Sequence, residues 1–557
     1  MIKWLRSFWD LGYSRAIIVT RKLDHNGGNN YIEGVVCQAE DIPENGMKVC
    51  DLGDDGKVLV VKKNGRFSAL GTKCTHYGAP LVKGALGDNR IRCPWHGACF
   101  NIQTGDIEDF PGLDSIPCYN VQVTPEGGVK VRAKLSELSA NKRQKSMMTI
   151  DCKNNNIFVI IGGGPAGLVC AETLRQEGFS GKLVMVTSDK YLPYDRIKLS
   201  KQLDMTIDKI QLRPENFYET NNIEVKTDTE VTKVCTDSKK LTLCNGEEIN
   251  YTSLFIATGG IPRRISIPGI NLKNIFTLRT LNDANEIQKH LNPEANVVIY
   301  GSSFIGMEAA AYCLGKVKSV TVVGRSSVPF AESLGNAMGE RVAKLFKEKG
   351  VQMKMIITIT SFLGEEKVEK VVLSDGTELP ADVVILGLGA SPATNFLKGS
   401  KVRLNSNGTV PVNKFLETNC PNIFAGGDIA EAPVYALKDE SLSIGHWGLA
   451  HYHGRIAALN MMSNATPLKT IPFFWTMLFG TSFRVAGSTY KHDAAIVKGD
   501  VEGLKFVVYY CKGDNVIGVT TVGTDPLAAE FAELLHNGKS LSKAQIEANP
   551  LDWFTQK

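Results

Sequence analysis

Residues 157–179 read IFVIIGGGPAGLVCAETLRQEGF: an apolar run, a glycine-rich turn and then the pattern of a buried helix. The spacing Gly162-x-Gly164-x-x-Gly167 follows the predicted strand and opens the predicted helix. In such a turn the first glycine permits the bend, the second lets the backbone approach a pyrophosphate, and the third permits close helix–strand packing. The helix amino terminus offers free N–H groups to phosphate. The stretch therefore predicts an α/β domain that binds a dinucleotide.

An acidic residue supports this prediction. Asp189 lies 22 residues after Gly167, and a carboxylate about 20 residues beyond the glycines accepts hydrogen bonds from ribose hydroxyls in such units. We therefore expect Asp189 to bind the same dinucleotide.

A second copy of the unit begins at residue 296 with NVVIYGSSFIGMEAAAYCLGK. It reads Gly301-x-Ser303-x-x-Gly306, so a small side chain replaces the middle glycine. The next strand ends at Gly324 and Arg325, where an NADH site would carry an acid. Losing the carboxylate and gaining a guanidinium favours the 2′-phosphate of NADPH; the alternative is NADH, with Arg325 a solvated surface residue. Two such sites on one chain indicate a flavin and a nicotinamide.

Two short loops in the first part of the chain combine cysteine with histidine. CTHYGAP at 74–80 supplies Cys74 and His76, and CPWHGACF at 93–100 supplies Cys93 and His96. Structural zinc sites usually use CxxC pairs, whereas one Cys and one His from each loop suit a [2Fe–2S] cluster with two thiolates on one iron and two imidazoles on the other. Zinc and unliganded thiols remain the alternatives.

The composition bounds the remaining possibilities. The chain has 557 residues, 43% hydrophobic and 22% charged, with a net charge of +5, so it is of ordinary globular composition and gives no reason to expect nucleic-acid binding. Its thirteen cysteines are too irregular for a secreted disulfide scaffold. Because no run of eighteen apolar residues occurs, we expect no transmembrane helix. The first thirty residues are either a mitochondrial transit segment or an undistinguished extension.

The changes in pattern along the chain predict a multidomain protein. An all-β domain is followed by two Rossmann-like α/β domains, for FAD and NAD(P), and a C-terminal α+β domain. The predicted boundaries are an N-terminal extension at 1–30, a [2Fe–2S] domain at 31–133, a linker at 134–154, an FAD-binding domain in two segments at 155–285 and 405–470, an NAD(P)-binding domain at 286–404, and a C-terminal reductase domain at 471–557. The division of the FAD-binding domain and the reductase domain are implied by resemblance to two-dinucleotide flavoprotein reductases.

Several motifs resemble known families. The two Cys/His loops, with PWHG and the later DFPGL, resemble the Rieske signature, which implies that Pro111 lies in a loop covering the cluster. The first loop lacks the extra cysteine of quinol-oxidising members, which implies a ferredoxin type. LFIATGG at 254–260 and NIFAGGDIA at 422–430 resemble two-dinucleotide flavoproteins, and YLPYDRIKLSK at 191–201 resembles oxygenase-coupled ferredoxin reductases and the apoptosis-inducing-factor family.

These resemblances imply roles for individual residues. Arg196, Lys201 and Arg279 match FAD contacts, and Asp428 matches the residue that bonds the ribityl chain. Glu308 matches a carboxylate paired with the lysine beside the flavin, and we expect Lys201 and Glu308 to act in catalysis. The alternative is a surface ion pair of little worth. Disulfide reductases of this fold carry a cysteine pair near the first helix, but here Cys170 stands alone, so we expect no dithiol chemistry.

The predicted function is an NAD(P)H oxidoreductase that passes electrons through FAD to a Rieske [2Fe–2S] cluster and then to an acceptor that the sequence does not name. The resemblance implies a mitochondrial or membrane-associated protein, with a pro-apoptotic role; a cytoplasmic location is the alternative. The alternative function is a redox-switched signalling or scaffold protein with slow turnover. The oligomeric state is not predicted.

Overall fold

The computed structural model describes residues 19–23, 30–54 and 56–555. The predicted transit segment therefore lies outside the described residues, apart from the strand at 19–23 and Asn30. No helix in the described part of the chain is long and apolar enough to cross a membrane.

The first domain is built from two antiparallel sheets. The seven-stranded sheet has the order β1-β2-β11-β10-β5-β4-β3, and the four-stranded sheet has the order β6-β7-β8-β9. The Cys/His loops join β5 to β6 and β7 to β8, so both lie at the smaller sheet. The strands are β1 Val19–Leu23, β2 Asn30–Gln38, β3 Gly46–Asp51, β4 Lys57–Lys63, β5 Arg66–Leu70, β6 Ala85–Leu86, β7 Arg90–Arg92, β8 Cys99–Asn101, β9 Ile107–Asp109, β10 Cys118–Val123 and β11 Gly128–Lys134.

The segment predicted as a linker is attached to both neighbouring domains. It begins with the short helix α1, Leu135–Ala140. Beyond this helix, Arg143 and Lys145 both pair with Asp106 of the first domain, and Lys145 also lies 3.5 Å from Glu177 of the next domain. The basic residues of this segment therefore hold it against both neighbouring domains through ion pairs.

Next comes a parallel sheet with the order β14-β13-β12-β18-β30, which the chain completes in two passes. Its central strand, β12, reads IFVII and is wholly apolar, as is typical of a strand in a parallel sheet that is buried on both faces. The first pass contains β12 Ile157–Ile161, α2 Pro165–Gln176, β13 Lys182–Val186, α3 Ile207–Ile210, α4 Glu215–Thr220, β14 Ile223–Lys226, β15 Val231–Cys235, β16 Lys240–Leu243, β17 Glu248–Asn250, β18 Ser253–Ile256 and β19 Gly260–Pro262.

A second parallel sheet has the order β20-β27-β21-β22-β23. It begins before the boundary predicted at residue 286, because β20 pairs with β27. That strand has only three residues, too few to show a pattern in the sequence. The elements are β20 Ile275–Thr277, α5 Leu281–His290, β21 Asn296–Tyr300, α6 Phe304–Cys313, β22 Ser319–Gly324, α7 Ala331–Glu348, β23 Gln352–Met355, β24 Ile359–Leu363, β25 Lys370–Leu373, β26 Glu378–Pro380 and β27 Val383–Leu386.

The chain then returns to the first parallel sheet and ends in an α+β domain. Helix α8 of the return packs along α2. The last domain is an antiparallel sheet with the order β33-β34-β37-β36-β35 and three helices. The elements are β28 Ala390–Pro392, β29 Val410–Pro411, β30 Ile423–Ala425, β31 Ala430–Val434, β32 Glu440–Leu442, α8 Trp447–Met461, β33 Phe473–Leu478, β34 Thr481–Gly487, β35 Ala494–Asp500, β36 Lys505–Lys512, β37 Asn515–Val522, α9 Leu527–His536, α10 Lys543–Ala548 and α11 Asp552–Thr555.

The first domain is docked on the later ones through buried charges. Arg92, with a fully buried side chain, donates to Glu533 of α9 at 2.7 Å, and Arg90 contacts the same carboxylate at 3.0 Å. Nearby, the Thr470 hydroxyl donates to Asp109 at 2.8 Å. Because the partners of each contact come from different domains, the Cys/His loops are held in a fixed place against the later domains.

Candidate functional site

The two Cys/His loops are the same turn built twice. The N–H of Cys74 donates to Ala79 and that of Cys93 to Ala98, at 2.8 and 2.7 Å. Gly78 and Gly97 have φ of +78° and +81° at equivalent places, a conformation that glycine adopts without strain. Each loop therefore turns back sharply and presents one thiol and one imidazole.

The four predicted metal ligands come together as two pairs. The Nδ1 atoms of His76 and His96 lie 3.1 Å apart. The thiols of Cys74 and Cys93 are hydrogen-bonded to each other, and this bond, ahead of burial, raises the pKa of Cys74 while it lowers that of Cys93. Burial lowers the pKa of His76 to about 3 and that of His96 to about 2, so both imidazoles are neutral.

This donor set fits a [2Fe–2S] cluster with two sulfur and two imidazole ligands. No group of three or more His, Cys, Asp and Glu side chains among the described residues is placed to share one metal ion. Pro111 is buried in the loop that follows β9. Its neighbour Gly112 would bring a Cβ within 3.7 Å of the Cβ of His76, so this loop lies beside His76.

The three glycines after β12 form a cradle. A Cβ on Gly162 would lie 2.2 Å from the Ala257 carbonyl oxygen, and one on Gly167 would lie 1.9 Å from that of Gly162. A Cβ on Gly164 would meet nothing within 4 Å. The first and third glycines are thus required by packing, and the second faces open space in which a pyrophosphate fits.

The remaining residues predicted to bind FAD form two ion pairs near this cradle. Arg196 lies 3.0 Å from Asp189, and the hydroxyl of Tyr194 donates to the same carboxylate. Arg279 lies 3.0 Å from Asp428. Its Nε is buried and has no hydrogen-bond partner, so a donor is left over for a bound group. The residues present therefore fit FAD.

Lys201 and Glu308 meet across the two α/β domains at 2.9 Å, and the carboxylate is buried. Ser200 and Thr476 also donate to Glu308. This carboxylate is therefore fully hydrogen-bonded and fixes the position of the Lys201 ammonium. The carboxylate of this pair is buried and hydrogen-bonded, unlike that of the solvated surface ion pair that the sequence left as the alternative.

Trp475 connects this pair to the Cys/His loops. Its ring lies 5.0 Å from the Lys201 ammonium and 4.1 Å, centre to centre, from the ring of His96. Trp475 lies on β33 of a different domain, so no local sequence pattern marks it as a neighbour of these sites. The Arg484 guanidinium donates to the carbonyl oxygen of Trp95 at 2.9 Å. This hydrogen bond helps to hold the His96 loop beside Trp475. A continuous chain of side-chain contacts thus joins the two candidate cofactor sites.

The second βα unit repeats the glycine geometry. Gly301 has a φ of +119°, and a Cβ on Gly306 would lie 2.1 Å from the carbonyl oxygen of Gly301. Ser303 is the residue before α6. Arg325 follows β22, is largely exposed and pairs with the exposed Glu332 at 2.8 Å. The guanidinium is therefore open to solvent at the end of β22.

Cys170 lies in α2 and is fully buried. Burial raises the pKa of its thiol, and the thiol lies 3.9 Å from the sulfur of Met461. It packs as a small apolar residue and offers no dithiol.

Comparison with known proteins agrees with these observations. The pyridine nucleotide-disulphide oxidoreductase family matches residues 157–454, the Rieske [2Fe-2S] domain matches 33–120, and the reductase C-terminal domain matches 473–552. Human apoptosis-inducing factor 3 is 43% identical over 539 residues, which is 94% of this chain and 89% of that protein.

Two further relatives cover the reductase part. Rubredoxin-NAD(+) reductase of Ectopseudomonas oleovorans is 30% identical over 66% of this chain and 95% of its own. The crystal structure of the covalent putidaredoxin reductase–putidaredoxin complex matches with a TM-score of 0.68 and 26% identity, over 72% of this chain and 97% of that one.

The matches confirm the predicted fold class and the predicted cofactors: FAD, a [2Fe–2S] cluster, and NAD(P)H as substrate. They also confirm that the protein is an NAD(P)H-dependent flavoprotein oxidoreductase that transfers electrons. The chain belongs to the pyridine nucleotide-disulphide oxidoreductase family and carries a Rieske domain ahead of the flavoprotein.

Proposed function

We propose that this protein passes electrons from NAD(P)H to its own Rieske domain and then to an external one-electron acceptor. When bound, FAD takes a hydride from NAD(P)H and the cluster takes single electrons. The observation that carries the proposal is the unbroken contact from Glu308 and Lys201 through Trp475 to His96.

The chain's own residues have distinct parts in this proposal. Lys201 places a positive charge where reduced flavin would gain negative charge, and Glu308 fixes the position of that charge. Trp475 fills the space between Lys201 and His96 with an aromatic ring and excludes water from it. Arg325 would recognise the 2′-phosphate of NADPH, and Asp189, Arg196, Arg279 and Asp428 would hold FAD.

The docked arrangement supports transfer within one chain. The relative in the solved complex is a reductase bound covalently to putidaredoxin, a separate protein. In this protein the Rieske domain is part of the same chain, and Arg92 and Glu533 fix it against the reductase. We therefore infer that the Rieske domain takes the place of a separate first acceptor.

Stopped-flow absorbance with NAD(P)H tests the proposal, with flavin and cluster bands followed separately. We expect Trp475→Leu to slow cluster reduction by about tenfold, or 1.4 kcal/mol in the barrier, with flavin reduction unchanged. Trp475→Phe keeps an aromatic ring and should slow cluster reduction by a smaller factor. Lys201→Met should slow flavin reduction instead. Normal cluster reduction in protein stripped of FAD would refute the path.

The steady-state rate separates this function from a redox-switched scaffold. Enzymes have a median turnover near 10 s⁻¹. NAD(P)H oxidation with ferricyanide at a rate of that order supports the enzyme. Turnover slower than about one per minute, measured against the same median, would support the switch.

We further propose a mitochondrial location and a part in apoptosis. The location is supported by the basic and apolar N-terminal residues, and the second role only by the name of the human relative. Fractionation of cells that express the full chain and a chain lacking residues 1–30 tests the first. Cell death after expression of the wild type and of Cys74→Ala tests whether the second depends on the cluster.

A further inference from the structure

The two histidines of the Rieske site face different surroundings. His96 is 9% exposed and lies against Trp475 at 4.1 Å, on the side of the flavoprotein. His76 lies beneath the ring of Tyr77, which is stacked on it with centres 3.8 Å apart and planes 18° apart. His96 is therefore covered by the reductase. The ring of Tyr77 lies over His76 and also meets the rings of His96 and Trp475 edge-on, with centres 5.4 and 6.4 Å away.

Tyr77 reaches from that imidazole to the surface. The residue is 38% exposed. Its hydroxyl donates to the buried carboxylate of Asp195 at 2.7 Å, and the ammonium of Lys198 lies 5.9 Å from its ring. The hydrogen bond holds one end of the ring, so Tyr77 keeps a fixed orientation with one face on His76 and part of the ring in solvent.

We propose that Tyr77 is the contact site at which an external one-electron acceptor receives electrons from the Rieske domain. This inference rests on the proposed function, and it adds the exposed residue at which electrons leave. Docking covers the His96 side, so an acceptor has no room there. The partner is a one-electron carrier that contacts the exposed part of the Tyr77 ring.

The electron count is simple. Each NAD(P)H gives up two electrons and is oxidised to NAD(P)⁺. Two acceptors are each reduced by one electron, one after the other, and the proton released on oxidation of NAD(P)H goes to solvent. Tyr77 forms and breaks no bond, and its phenol keeps its proton.

A second role for Tyr77 must be separated from this one. Through Asp195, which belongs to the FAD-binding domain, the same residue helps to fix the docked position. Tyr77→Phe removes that hydrogen bond and keeps the ring, whereas Tyr77→Leu removes both. Tyr490, also 38% exposed but in the C-terminal part, offers a matched control as Tyr490→Leu.

The experiment follows two rates in the full holoprotein. The first is cluster reduction by NAD(P)H, and the second is reoxidation of the reduced cluster by ferricyanide or by hexaammineruthenium(III). We expect Tyr77→Leu to slow reoxidation by about tenfold, or 1.4 kcal/mol in the barrier. The loss should be equal for the two probes, because the substitution removes a ring and no charge. The reoxidation rates of Tyr77→Phe and Tyr490→Leu should match that of the wild type.

Spectroscopy provides a readout apart from activity. The electron paramagnetic resonance signal of the dithionite-reduced protein should integrate to the same number of clusters per chain in every variant. Its line shape should change in Tyr77→Leu, where His76 loses its stacked neighbour, and not in Tyr490→Leu.

Three results would overturn the inference. Unchanged reoxidation in Tyr77→Leu would show that electrons leave elsewhere. Equal slowing of cluster reduction in Tyr77→Phe and Tyr77→Leu would assign the residue to docking alone. Slowing with only one of the two probes would indicate an electrostatic effect. Reoxidation is measured on protein that dithionite has reduced, so it does not depend on NAD(P)H. If NAD(P)H does not reduce the wild-type cluster at all, the proposed function fails, and the reoxidation rates still test Tyr77.

Discussion

Replacing Glu533 tests what holds the Rieske domain in place. The carboxylate is 4% exposed and is shared by Arg92, which is fully buried, and Arg90, which is nearly so. Glu533→Gln keeps the shape but removes the charge. The guanidinium groups of Arg90 and Arg92 then share one amide, and Arg92 alone keeps the more distant Asp109 at 3.4 Å. Removing one partner of a buried ion pair costs about 3–5 kcal/mol.

We expect Glu533→Gln to lower the free energy of docking by about 3 kcal/mol, the lower end of this range, because the amide oxygen still accepts one hydrogen bond. That corresponds to a change of about 100-fold in the docking equilibrium. Calorimetry should show a transition at lower temperature, and limited proteolysis should cut faster in the segment between α1 and β12. The contact between His96 and Trp475 depends on docking, so cluster reduction by NAD(P)H should slow as well.

The exposed pair of Glu502 with Lys344 provides the control. Their charged atoms lie 2.6 Å apart, but the side chains are 67% and 52% exposed. Solvent screens such a pair, so Glu502→Gln should cost much less stability than Glu533→Gln. If Glu533→Gln costs no more than Glu502→Gln, or if it leaves proteolysis and cluster reduction unchanged, the network does not hold the domains together.

Acid should have the same effect on the wild type. Burial alone would raise the pKa of Glu533, but Arg92 and Arg90 outweigh it and hold the pKa below its ordinary value of 4.5. A carboxylate whose pKa is lower in the folded state stabilises the fold above its unfolded pKa. This contribution is therefore present at pH 7 and is lost as the pH falls below 4.5 through the lowered value. Glu533→Gln should lack this part of the pH dependence.

Three further changes give distinct readouts. His96→Cys puts a thiolate where a neutral imidazole is, so the cluster potential in a redox titration should fall toward about −400 mV, the value typical of plant-type clusters; an unchanged potential counts against His96 as a ligand. Arg325→Gln should lower kcat/KM for NADPH by about tenfold, the worth of one hydrogen bond to a charged group, and leave NADH nearly unchanged; equal loss for both coenzymes would remove Arg325 from the phosphate site. Burial lowers the pKa of His453 to about 4, and its Nδ1 accepts from the N–H of Gly427. The neutral, buried imidazole therefore stabilises the fold fully above the unfolded pKa of 6.5. This contribution falls on acidification, by about 1 kcal/mol between pH 7.5 and 5.5. His453→Gln should show a smaller fall in Tm over that range, and an equal fall would contradict a neutral His453.

The local chemistry of each candidate site could be predicted from the sequence. The glycine spacing at 162–167 indicated a cradle because each glycine meets a steric demand set by residues within one βα unit. The two Cys/His loops indicated a cluster for the same reason, since four ligands come from two short turns. Resemblance then supplied Lys201, Glu308, Arg279 and Asp428, whose roles as site residues stay predictions.

What the sequence could not show is how these sites face each other. Trp475 comes 274 residues after Lys201 and 379 after His96, and nothing in the letters PFFWTM marks it as their common neighbour. Tyr77 stands beside a predicted ligand, but its partner Asp195 belongs to another domain. Glu533 looks like one more charge on an amphipathic helix until Arg90 and Arg92 are packed against it. Spacing along a chain reports contacts made within one turn, strand or helix, whereas a contact between domains depends on how separate folded surfaces fit together. The sequence by itself therefore determined which cofactors this protein is built to hold, and the tertiary structure decided which side chains lie between their sites.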